Sequence, residues 1–118
     1  MSGISGATGP AVSGMRHAAN MLQASASNVA NLMSDGYQAR RVTGETAPGG
    51  GVRSVVSVST QAGAAWYDSA TGELLQRSNT ELETELVTQS AAAFMYAANA
   101  AVIRAEDEMY ATLLDRQI

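Results

Sequence analysis

The chain has 118 residues, a formal net charge of −4 and no cysteine. That length permits at most one small core, and the missing thiols exclude a disulfide staple, a thiolate metal site and a cysteine nucleophile while leaving the redox compartment open. All seven basic residues are arginine, scattered apart from the Arg40-Arg41 pair, so no basic stripe for nucleic acid is present.

Apolar residues make up 46% of the chain, yet only one Phe, one Trp and four Tyr are among them. Alanine supplies much of the rest, which favours close helix contacts over a thick core. The N-terminus has no basic stretch leading into an apolar run, and no 18-residue apolar stretch is read. Neither a cleaved signal nor a membrane span is therefore expected.

Residues 1–9 are small and rich in Gly and Ser, and are expected to be flexible. Pro10 suits a first helical turn, and Val12, Met15, Ala19, Leu22, Ala26, Val29 and Met33 then recur at three-then-four spacing. This predicts an N-terminal helix over 10–35 with Asp35-Gly36 as its stop. Gly14, Ser25, Ser27, Asn28 and Asn31 lower its intrinsic propensity, so packing must supply its stability. His17 lies off the stripe beside Arg16 and reads as a solvated position, because nothing near it completes a site.

The helical period disappears after Tyr37, and 37–77 reads as an extended segment with a Gly-rich loop at 47–51. Val52 to Thr60 places Val52, Ser54, Val56 and Val58 on one side, the pattern of a strand. Trp66-Tyr67, the turn residues Asp68 to Gly72, and Glu73-Leu74-Leu75 read as a small hairpin. Gly49-Gly50-Gly51 lacks a following Lys-Ser/Thr and is no phosphate loop.

A C-terminal helix is predicted over 80–115. Thr80 with Glu83, and Ser78 with Glu81, have the spacing of capping boxes, and Glu81, Glu83 and Glu85 suit the positive end of the helix dipole. Glu106, Asp107 and Glu108 read as a solvated face. The stripe here is Leu82, Leu86, Gln89, Ala93, Tyr96, Ala100, Ile103, Asp107, Tyr110 and Leu114. Gln89 and Asp107 are polar breaks expected to fix register between subunits. At ~54 Å this helix is too long for a small compact core. The fold class expected is mainly α with a small β element: long terminal helices packed as an antiparallel or coiled-coil pair around a short hairpin-like middle, within one domain, 1–118. The helix-to-helix and assembly interface is expected along the two stripes.

Two ordered motifs lie on these helices. Ala11-Val12-Ser13-Gly14-Met15, Ala26-Ser27-Asn28-Val29-Ala30-Asn31 and Asp35-Gly36-Tyr37 resemble the N-terminal signature of bacterial flagellar axial proteins of the rod and hook class. Ser78-Asn79-Thr80-Glu81-Leu82 and the run from Tyr96 through Asn99 to Met109 resemble that family's C-terminal signature. The short proximal-rod proteins are nearest in size, although Met33, Ala91-Ala92-Ala93-Phe94 and the absence of Lys depart from the family pattern.

The resemblance implies a structural subunit of the flagellar basal body rod, exported by the flagellar type III apparatus without a cleaved signal peptide. Its terminal helices would form the core of a tube crossing the periplasm. The implied partners are copies of itself and other rod and hook–basal-body proteins, and the implied motif residues are Asn28, Asn31, Gly36, Tyr37, Ser78, Asn79 and Asn99. No cofactor, metal or small-molecule substrate is expected, and no reactive cluster supports an enzyme. A small helical coiled-coil adaptor or chaperone-like module that does not polymerise is the alternative reading.

Overall fold

A computed structural model describes residues 6–117. Helix α1 spans Thr8–Ala30 and helix α2 spans Leu82–Gln117. Between them lie strands β1 (Arg40–Thr46), β2 (Val52–Val58), β3 (Ala65–Asp68) and β4 (Glu73–Gln76). The expected class, mainly helical with a small β part, is what forms. Its extents are 79 × 24 × 16 Å, the proportions of a rod.

Helix α1 starts two residues ahead of Pro10, with Ala11 N–H bonding Ala7 O, so Pro10 occupies a first-turn position whose N–H has no helical acceptor. Of the segment expected to be flexible, Thr8 and Gly9 are already helical, and 1–5 lie outside the described residues. The helix also ends earlier than Asp35. Asn31 Nδ2 takes the Ser27 carbonyl at 2.9 Å, and Leu32 N–H turns back to Val29 O, tightening the chain into turns. Met33 consequently leaves the helical stripe and is exposed. Gly36 adopts the left-handed conformation (φ +76°), but in a turn beyond the helix rather than as its cap.

The middle segment forms two hairpins where the sequence reading expected one. β1 and β2 pair antiparallel from Arg40↔Val58 to Thr46↔Val52 around the Gly-rich loop. Strand β1 was hidden because Arg-Arg-Val-Thr-Gly-Glu-Thr has no apolar alternation; its partner and α1 supply the order. β3 and β4 pair from Ala65↔Gln76 to Asp68↔Glu73, and Asp68 closes the turn by accepting from Ala70 N and Thr71 Oγ1. Trp66 Nε1 donates to Asp35 Oδ1 at 2.9 Å, and the Arg77 guanidinium lies 4.8 Å from the Trp66 ring centre. The Trp66–Asp35 bond, with Gly36 N donating to Gln76 O, fastens the second hairpin to the turn after α1, while the Arg77 contact stays within the hairpin region.

Asn79 ties the linkers together. Its Oδ1 accepts from Ala39 N at 2.6 Å, its Nδ2 donates to Ser59 O and Gln61 O, and its own N–H bonds Tyr37 O. Ala39 is fully buried, so its N–H has no water to fall back on. Asn79→Ala is expected to cost about 2 kcal/mol and to make the Ala39 amide exchange with solvent at least tenfold faster, read by amide hydrogen exchange. Unchanged exchange would remove this role.

Helix α2 begins at Leu82, two residues after Thr80. The Ser78 hydroxyl bonds Thr80 N and Thr80 Oγ1, closing a local turn in place of the expected capping boxes. One further expectation is corrected by composition. An 18-residue window within Leu82–Arg116 reaches a mean hydropathy of 1.3, long and apolar enough by those measures alone to cross a membrane. Even so, Glu85 and Gln89 of this helix are engaged by polar groups of α1.

Candidate assembly interface

Helices α1 and α2 run antiparallel. Asn28 and Ser25 lie beside Glu85, Ser25 beside Gln89, Gly14 beside Asn99, and Thr8 bonds Glu106. The side of α1 facing α2 and the first hairpin is Ala11, Gly14, His17, Ala18, Ser25 and Asn28, all buried. This seam lies one residue away from the stripe read as apolar. The reason is steric: methyls, a glycine and short polar groups let the backbones approach, whereas Val, Met and Leu would hold them apart.

At the Asn28 end the seam is a closed polar cluster. Asn28 is completely buried and makes four bonds: Nδ2 donates to Arg40 O (2.9 Å) and Glu85 Oε1 (3.0 Å), while Oδ1 accepts from Arg40 N and Tyr37 OH (both 2.8 Å). Glu85, 1% exposed, is paired through Oε2 with Arg41 Nη1 at 3.3 Å. Ser25 Oγ donates to Glu85 O and accepts from Gln89 Nε2 at 3.1 Å. Among the described residues no buried side-chain polar atom lacks a partner. A fully satisfied buried network specifies one arrangement, because shifting either helix would orphan several groups at once.

Three sequence readings change here. Glu85 is buried within this cluster, not a solvated carboxylate at a helix start, because Asn28 and Arg41 supply donors. Glu106 is likewise buried against Thr8. His17 is buried, with Nδ1 2.9 Å from Ser54 Oγ, because the first hairpin folds over α1 at this point. The signal that locates the seam is the small residues Gly14, Ala18 and Ser25 at four- and seven-residue intervals, a close-approach pattern that bulk alone does not reveal.

The expected interface residues divide. Ala100, Ile103 and Tyr110 are half-buried along α2, as are Val12, Met15 and Val29 on α1. Ala19, Leu22, Ala26, Leu82, Leu86, Ala93, Tyr96 and Leu114 are exposed and form no part of the seam within the chain. Gln89 contacts Ser25 across the seam, whereas Asp107 faces solvent. Of the motif residues, Asn28, Tyr37 and Asn79 connect to one another through Arg40, Ala39 and Tyr37 backbone groups, and Asn31 ends α1. Ser78 shapes the turn before α2, and Asn99 Nδ2 bonds Met95 O beside Gly14. Gln89→Leu is expected to keep the helical content while loosening register. It removes the Ser25 bond and costs about 1 kcal/mol, measurable by thermal melting. Equal melting temperatures would show that the bond sets nothing.

The arrangement places polar specificity inside the helix pair and apolar surface outside it. This is a construction suited to a structural building block. Residues 72–116 match the family described as flagellar basal body rod FlgEFG protein C-terminal. The matched segment covers β4, the Ser-Asn turn and nearly all of α2, less than half of the chain, and supports a flagellar rod-type structural role. No curated protein matches the chain significantly.

Proposed function

We propose that the chain, acting as one rod-type domain, is a subunit of the flagellar basal body rod. It assembles with copies of itself and with other rod and hook–basal-body proteins through the outward faces of α1 and α2. Export by the flagellar type III apparatus and transmission of torque across the periplasm follow from that role.

The observation that carries this reading is an inverted distribution of bulk. Among the described residues the buried apolar side chains are Ala11, Ala18, Ala39 and Ala92, all alanine. Phe94, Leu74, Met33 and Val87 are each at least 70% exposed, and Leu86, Leu114 and Met109 are more than half exposed. Burying one methyl contributes about 0.8 kcal/mol, whereas ordering one backbone residue costs about 1–2 kcal/mol. Alanine burial alone cannot hold a 36-residue helix in place. Neighbouring subunits supply the missing apolar contact.

Deleting the gene is expected to abolish swimming and truncate basal bodies at the rod, seen by electron microscopy, with recovery on complementation. Normal swimming and intact rods would instead favour an adaptor that never polymerises. In dilute solution the ends of both helices are expected to exchange amide hydrogens far faster than the Asn28 cluster. Uniform protection along α2 would count against assembly-dependent order.

A further inference from the structure

Thr8, the first residue of α1, bonds Glu106, so among the described residues α2 continues from Asp107 to Gln117 past the region paired with α1. This overhang extends ~16 Å at 1.5 Å per residue. Met109, Leu113 and Leu114 project from it and are 36–59% exposed. Elsewhere on the same molecule the paired helices form an apolar groove of about 350 Å³, lined by Ala18, Ala19 and Leu22 of α1 and Ala92, Ala93 and Tyr96 of α2. Its floor is methyl groups and its walls are one Leu and one Tyr, a shape that accepts protruding aliphatic side chains.

We infer that the overhang of one copy seats in the Ala18–Ala93 groove of the next. The inference rests on the rod reading and goes further by naming the two surfaces that meet. Charge selects this occupant. Helix α1 carries the exposed Arg16 and no acidic residue, and Arg16 lies one helical turn before Ala19 of the groove lining. The overhang carries Asp107, Glu108 and Asp115 against the single Arg116. Overhang and α1 are therefore of opposite sign, whereas two overhangs would repel. The two features are separate patches, and with copies stacked in parallel the contact is heterologous and leaves a free groove and a free overhang at the ends of an open complex. From Phe94, beside the groove, to Ala111, within the overhang, is about 26 Å along α2. Each added copy advances by that step along the long axis, giving an open filament instead of a closed dimer.

The natural absence of cysteine makes the test direct. Ala93→Cys and Leu113→Cys are made separately and together in the full chain, checked for helicity by circular dichroism and mildly oxidised. The double variant is expected to give a ladder of disulfide-linked species, a mixture of the two single variants one dimer band, and each single variant alone only monomer. Leu22→Cys with Leu114→Cys provides a second pair if the first perturbs helicity. Arg16→Glu is expected to slow cross-linking several-fold at low salt.

Dimerisation of either single variant as fast as the mixture, or no dimer from the mixture with either pair, would overturn the contact. Loss of swimming on gene deletion together with absent cross-linking would leave the rod reading standing without this contact. Normal swimming with efficient ladders would do the reverse.

Discussion

Asn28→Ala is expected to lower the stability of the isolated chain by about 3 kcal/mol, the largest effect of any single polar truncation. The substitution removes two donors and an acceptor with two partners from a completely buried position. It leaves Arg40 N–H without its acceptor and Glu85 Oε1 without its donor. Each orphaned buried group costs about 1–3 kcal/mol, and the space vacated by the amide adds to that. Glu85 remains paired with Arg41, which limits the loss.

Against a total stability of about 5–15 kcal/mol, such a loss is large, and the melting temperature should fall by roughly 10 °C or more. Asn28→Asp keeps the acceptor but sets a second carboxylate 3.0 Å from Glu85, so at neutral pH it should be no better than alanine. In a double-mutant cycle Asn28→Ala and Glu85→Ala should couple by at least about 1 kcal/mol. Strict additivity would show that the cluster is a set of independent contacts.

Gly14→Leu is expected to separate the helices near the middle of their contact and cost more than about 3 kcal/mol, whereas Gly14→Ala should be close to neutral. A Cβ at Gly14 would lie 2.6–2.8 Å from the Asn99 amide atoms. For alanine the nearest obstacle is the end of a side chain whose Nδ2 is held by one bond to Met95 O. That amide can rotate away at a cost of about 1 kcal/mol, and replacing a helical glycine returns about the same amount. Leucine needs room that rotation of Asn99 does not create, so α1 must move off α2 and the Ala18–Ala92 region loses contact. Gly14→Leu combined with Asn99→Gly should recover part of the loss in thermal melts. If it recovers none, the obstruction lies in the backbones and not at Asn99.

Much of the architecture was legible because it depends on local chemistry. Periodicity located both helices and the turn residues located the loops, since a 3.6-residue repeat and a Gly-rich break act over a few neighbours. The register of the helix pair was not legible in the same way. Hydrophobic bulk pointed to Val12, Met15, Ala19 and Leu22, while the buried face is Ala11, Gly14, Ala18, Ser25 and Asn28. In an ordinary monomer the bulky face turns inward. Here the inward face is small and polar, and the bulk is left outside.

The cluster around Asn28 was invisible for a related reason. Asn28, Tyr37, Arg41 and Glu85 are separated by up to 57 positions, and a carboxylate near a helix start is ordinarily solvated. Only the folded chain shows that Glu85 has donors waiting for it. The same holds for His17, which has no partner in its own helix and finds Ser54 on a hairpin formed later in the chain.

By itself, then, the sequence determined that two long helices flank a β segment, where turns interrupt them, and that the C-terminal segment matches a flagellar rod family. Those are properties of neighbouring residues and of spacing along one helix. The tertiary structure decided which helix face is shared within the chain and which is left exposed. That choice turns on how closely two backbones approach and whether every buried polar group finds a partner, neither of which is set until both helices and the hairpin are in place.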